Sequence, residues 1–89
     1  MAELQVSVVS ADREIWSGIA SQVIAKTVEG EIGILGGHEP LLAMLAQGEV
    51  RVTTSGGEKV RVDAEGGFLS VDHDVITIVA SQASIVANA

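Results

Sequence analysis

At 89 residues, 47% of them apolar, the chain has room for one domain and one core, and with no cysteine it excludes disulfide staples and thiolate zinc sites. Twelve acidic against five basic residues leave a formal charge of −7. That balance excludes nucleic acid and anionic lipid as natural direct partners, because phosphate recognition needs clustered Lys and Arg.

The first residues, Met1-Ala2-Glu3-Leu4-Gln5, carry neither a basic region nor a long apolar one, so no signal peptide is read. No apolar stretch approaches the ~20 residues that span a bilayer, and a soluble, cytoplasmic chain is expected. Leu4, Val6 and Val8 alternate with Gln5 and Ser7, as a strand with one buried face requires. Turn signals then recur about every ten residues: Ser17-Gly18, Glu29-Gly30, Gly36-Gly37, Gln47-Gly48, Ser55-Gly56-Gly57, Glu65-Gly66-Gly67 and Asp72-His73-Asp74. Behind Pro40, Leu41-Leu42-Ala43-Met44-Leu45-Ala46 is rich in helix formers but too short for a stable helix. Extended or irregular structure is expected there, with the apolar residues serving a sandwich strand. Val50 and Val52 alternate with Arg51 and Thr53; Val60 and Val62 alternate with Lys59, Arg61 and Asp63. The turn signal at residues 53–58 joins these two runs as a hairpin. Val75-Ile76-Thr77-Ile78-Val79 is a fuller run, the pattern of a strand covered on both faces. Short strands punctuated in this way predict an all-β sandwich or barrel.

Few residues suggest chemistry. His38-Glu39 and Asp72-His73-Asp74 each resemble the start of a ligand set, but metal sites need three or four converging donors. A loop histidine and a tight polar turn are the plainer readings. No serine stands in a Gly-x-Ser-x-Gly setting. Gly30, Gly33 and Gly36 have the wrong spacing for a dinucleotide cradle, and they read as sites of positive φ or close backbone approach. No catalytic residue, metal ligand or cofactor is assigned. The apolar stretch Ile32-Gly33-Ile34-Leu35, with Leu41 and Leu42 beyond it, reads as core or as a docking surface with Glu31 and His38 as polar rim.

Residues 30–42, Gly-Glu-Ile-Gly-Ile-Leu-Gly-Gly-His-Glu-Pro-Leu-Leu, resemble the signature segment of the epsilon subunit of F-type ATP synthases. Other pieces follow in that family's order: Val8-Val9-Ser10-Ala11-Asp12, Ile15-Trp16-Ser17-Gly18, Gly48-Glu49-Val50-Arg51-Val52, Gly66-Gly67-Phe68-Leu69-Ser70-Val71 and Val75-Ile76-Thr77-Ile78-Val79-Ala80. The match runs from about Leu4 to Ala83. It implies an all-β, about ten-stranded β-sandwich of two antiparallel sheets, occupying residues 1–89 with a short C-terminal tail at about 84–89.

The resemblance also implies a non-catalytic rotor subunit of the central stalk. Such a subunit grips gamma and rests on the membrane-embedded c-ring, so that proton transport is coupled to ATP synthesis; it needs no cofactor and meets the membrane only through the ring. Carried over by position, Gly30, Glu31, Ile32 and Gly33 match the loop that faces the c-ring. Ser10 and His38 match gamma-facing positions, with Leu41, Leu42 and Met44 able to add apolar contact there. Two departures stand out. Gly36 replaces the usual proline, which frees φ and raises loop entropy by roughly 0.5–1 kcal/mol. The family's C-terminal helical hairpin has no counterpart in the nine residues from Ser81, so coupling without nucleotide binding or inhibition is expected. An uncovered docking surface leaves self-association of the isolated chain open. The alternative is a stand-alone β-sandwich ligand-binding module, for carbohydrate for example, but stacking on sugars would fall to Trp16, with Phe68 expected inside. A lipoyl-type carrier would need an exposed hairpin lysine, and Lys59 lacks the expected neighbours.

Overall fold

In the computed structural model, which describes residues 3–11 and 13–86, the alternating runs become seven strands with no helix among the described residues. They are β1 (Leu4–Val9), β2 (Glu14–Thr27), β3 (Gly30–Leu35), β4 (Leu41–Met44), β5 (Gly48–Thr54), β6 (Lys59–Asp72) and β7 (Val75–Val86). All seven belong to one hydrogen-bonded network, which closes because β1 pairs with both β2 and β7.

Three strands are long because each runs through two layers. The first layer orders β4, residues 67–72 of β6, residues 75–80 of β7, β1 and residues 14–20 of β2. The second orders residues 82–86 of β7, residues 59–65 of β6, β5, residues 22–27 of β2 and β3. Counted by layer, these make the ten short strands expected. The all-antiparallel expectation needs one correction, since β1 runs parallel to β7, with Val6 opposite Ile76 and Val8 opposite Ile78. Of the tail expected at about 84–89, residues 84–86 continue β7 against β6, and residues 87–89 lie outside those described, as does Asp12.

Where a strand changes layer, its buried parity flips. In β6 the inward residues are Val60, Val62 and Ala64, then Leu69 and Val71. Gly66 and Gly67, at φ 67° and 101°, absorb the extra residue between the two sets. A Cβ on Gly67 would collide with the Val79 carbonyl and Ala80 of the adjacent strand. In β2 the shift falls at Ser21, between buried Ala20 and buried Val23. Thus Glu65-Gly66-Gly67 and Ser17-Gly18, read as turn signals, lie inside strands; Gly18 is small because the Trp16 ring lies over it. The signal at residues 53–58 is a hairpin as expected, with Gly57 at φ 90° donating its N–H to the Thr54 carbonyl at 2.9 Å. Asp72-His73-Asp74 is the tight β6–β7 turn, with His73 and Asp74 both at positive φ. Residues behind Pro40 form β4, extended as expected.

The core between the layers is aliphatic apart from Thr27: Leu4, Ile34, Leu69, Ile76, Ile78 and eight valines make up most of it. Trp16 packs against its edge, and Phe68, expected inside, points outward instead and stays 39% exposed.

Candidate functional site

The two layers present very different outer faces. On the first layer, register fixes three rows that cross the strands. Met44, Phe68, Val79 and Val9 form one row; Leu42, Ser70, Thr77, Ser7 and Ser17 the next; Asp72, Val75, Gln5 and Ile19 the third. The first row is wholly apolar, the third is half apolar through Val75 and Ile19, and small hydroxyl side chains floor the row between. A groove of about 330 Å³ opens there along Gln5, Ser7, Ser17, Ile19 and Val75. Of the eight large apolar side chains that stand exposed among the described residues, five (Ile19, Leu42, Met44, Phe68 and Val75) are on this face. The run at Val75-Ile76-Thr77-Ile78-Val79 is therefore covered on one face only in the isolated chain: Ile76 and Ile78 are in the core, while Val75, Thr77 and Val79 look outward.

On this face, Leu42 and Met44 are 73% and 60% exposed because β4 is short and places every second residue outward. Leu41 turns the other way and packs against the core. Ser10 follows the end of β1, on the side of the Met44 row, where its N–H donates to the Arg13 carbonyl at 2.8 Å. His38 lies at the opposite end of the layer. Its N–H donates to the Leu35 carbonyl at 3.2 Å, its Nδ1 lies 2.7 Å from the Glu39 carbonyl oxygen, and the neighbouring Gly37 N–H donates to Asp74 Oδ1 at 2.7 Å. Because Asp74 also caps the start of β1 through the Gln5 N–H, His38 and Ser10 are separated by the length of that strand.

The second layer's outer face is polar. On β3, Ile34 is buried and Ile32 packs against the core, whereas Glu31, Gly33 and Leu35 point to solvent. Ile32 therefore offers a partner only its partly exposed edge. Glu31 Oε2 accepts from Arg51 Nη2 at 2.8 Å; Arg51 Nε lies 3.9 Å from Glu49, and Arg61 lies 3.7 Å from the same carboxylate. The β2–β3 turn that leads to Glu31 is held by Thr27, a buried polar side chain only 4% exposed. Its Oγ1 donates to the Gly30 carbonyl at 2.8 Å and accepts from the Glu29 N–H at 3.2 Å, while Gly30 takes φ 120°.

The two faces meet at this turn. The Val28 N–H donates to the Met44 carbonyl at 3.0 Å, so exposed Val28 extends the apolar row of the first layer to the start of β3. Residues 30–33 and Met44 are thereby brought to one end of the molecule, with Ser10 on the same side and His38 away from them. Phe68, Val75, Ile19 and Arg51 complete the two faces and are not singled out by sequence. The signal for Val75 is the unbroken apolar run around it; the signal for Arg51 is its outward parity between Val50 and Val52.

Among the described residues no group of three His, Cys, Asp or Glu side chains could hold a metal ion. The geometry is that of a docking module, with one apolar face and one polar edge.

Comparison with known proteins gives this geometry a family. Residues 3–86 match the family described as ATP synthase, Delta/Epsilon chain, beta-sandwich domain, and the chain belongs to that family. The ATP synthase epsilon chain of Micrococcus luteus is 58% identical over 85 residues, covering 96% of this chain and 93% of the relative. The epsilon chain of Rhodococcus opacus strain B4 is 46% identical, with 96% of this chain and 70% of the relative covered. Among solved structures, a chain in the Euglena gracilis mitochondrial ATP synthase OSCP/F1/c-ring assembly superposes with a TM-score of 0.89 at 30% identity, covering 96% of this chain and 54% of that one. A chain of the Tetrahymena thermophila mitochondrial ATP synthase central stalk and c-ring shares the fold, with a TM-score of 0.72 at 17% identity; 92% of this chain and 66% of that chain are covered.

Proposed function

We propose that this chain is a non-catalytic rotor subunit of an F-type ATP synthase, joining gamma to the c-ring so that proton transport drives ATP synthesis. The observation that carries this reading is the uncovered apolar face of the first layer. A strand run that is apolar on both sides, with only one side inside the fold, fits a chain whose outer face is completed by another protein. Family membership supports a partner within the ATP synthase, and the spacing of the two faces fits one arrangement: gamma takes the apolar face at Leu42, Met44 and Phe68, while the ring meets the edge at Gly30, Glu31 and Gly33. Seated in this way, the chain is peripheral on the cytoplasmic side and touches the membrane only through the ring. The formal charge of −7 suits a ring with cationic and amide side chains on its loops, where complementary charge speeds encounter and fixes register more than it adds affinity.

The alternative of a carbohydrate-binding module is disfavoured by the aromatics. Trp16 packs against the core edge and over Gly18, so Phe68 alone presents an open ring and no stacking platform forms.

Titration calorimetry against a purified cognate gamma subunit tests the proposal. A one-to-one complex is expected, weakened at least about tenfold by Met44→Asp, since a charge at the centre of an apolar contact is left desolvated and unpaired. A folded chain that binds no gamma at micromolar concentration would overturn it.

A further inference from the structure

Glu31 is not a free carboxylate, and the residue that holds it is not its nearest cross-strand cation. Register places Lys26 directly opposite Glu31 on β2, yet the Lys26 stem lies over Gly48, where an added Cβ would come within 2.9 Å of Lys26 Cδ. Arg51, opposite Ile24 on β5, reaches across β2 instead and donates to Glu31 Oε2 at 2.8 Å. Its Nε faces Glu49 at 3.9 Å, and Arg61 stands 3.7 Å from Glu49 on the far side. The four side chains form an alternating row, Glu31, Arg51, Glu49, Arg61, that runs from β3 across β5 to β6. It carries no net charge and ends at the β3 edge on a carboxylate.

Resting on the reading of Glu31 as a ring contact, we infer that Arg51 is a positioning residue for docking: it orients the Glu31 carboxylate so that a cationic or amide side chain of the ring's polar loop extends the row by one member. A guanidinium serves this purpose where an ammonium does not. Its planar fork addresses two carboxylates in fixed directions, whereas a lysine is a point charge on a mobile stem. With Oε2 occupied by Arg51, the other carboxylate oxygen keeps its lone pairs for the partner.

This role makes a prediction opposite in sign to simple charge counting. Removing Arg51 makes the chain more negative and uncovers Glu31, so if Arg51 only screens that carboxylate, attraction to a cationic loop rises. If Arg51 orients the carboxylate, docking falls despite the added negative charge. The test measures docking of the chain, in complex with gamma, on detergent-solubilised c-ring by biolayer interferometry at two salt concentrations. Wild type is compared with Glu31→Gln, Arg51→Gln and Arg51→Lys, and the fold of each is checked by thermal melting. The expected result is about tenfold weaker docking for Glu31→Gln and about three- to tenfold for Arg51→Gln, with Arg51→Lys restoring little and the double change Glu31→Gln/Arg51→Gln no weaker than Glu31→Gln alone. Arg51→Gln that docks as well as wild type or tighter, beside a weakened Glu31→Gln, overturns the positioning role and leaves the ring contact standing. Glu31→Gln that docks like wild type removes the ring contact itself, and the positioning role with it.

Discussion

Thr27 shows how much one hydroxyl group can determine. Among the described residues it is the buried polar side chain of a core otherwise made of aliphatic residues, and both of its hydrogen-bonding roles are used within the β2–β3 turn, on Gly30 and Glu29. A valine in its place keeps the volume but leaves a carbonyl and an N–H to find other partners beside the core. Thr27→Val is expected to lower stability by about 1–2 kcal/mol, and Thr27→Ser to recover most of the loss, as read from urea unfolding. Since the turn sets where Glu31 leaves the fold, Thr27→Val is also the change most able to disturb the polar edge at Glu31 without touching it. Nothing in the sequence separates Thr27 from the other threonines. Its role comes from parity, because it is the last inward residue of β2, and that parity depends on the shift at Ser21.

At the scale of elements, strand identity was legible and strand length was not. Alternation in residues 4–8, 50–53 and 59–63 specifies strands because the pleat repeats every two residues, and the hairpin at residues 53–58 follows from its glycines. Glycine pairs inside a strand carry the same local signature as a turn, however. Only the neighbouring chain distinguishes them: at Gly67 the approach of Val79 and Ala80 leaves no room for a side chain, and the strand continues through it. Gly67→Ala must move one of these backbones as well as adopt an unfavourable φ, so a loss of about 3 kcal/mol or more is expected. For a domain of this size that corresponds to a fall in melting temperature of roughly 15 °C. Gly57→Ala, also at positive φ but in an open hairpin with no atom near its added Cβ, should lose only about 1 kcal/mol. The same limit of local reading applies to Phe68 and Val75: hydrophobicity predicts burial, but only the register of β4, β6 and β7 shows which side of the layer each one takes.

At the scale of the whole molecule, the resemblance in residues 30–42 pointed to the family, and the layered geometry added an uncovered apolar face that composition could not assign. An isolated chain with that face uncovered is expected to self-associate as its concentration rises, visible by sedimentation velocity, and Met44→Asp should return it to a monomer. A chain that stays monomeric at millimolar concentration would mean that the hydroxyl row breaks the apolar surface into patches too small to pair. The way β2, β6 and β7 each pass through both layers has a mechanical consequence. In a sandwich built from separate sheets, a sideways load on one face is resisted only by side chains interdigitating across the core. Here three covalent backbones cross from the layer with the uncovered apolar face to the layer that carries Glu31, so shear applied at one face is carried as tension along the polypeptide. A part that must turn with one partner while seated on another would lose little motion to internal slip.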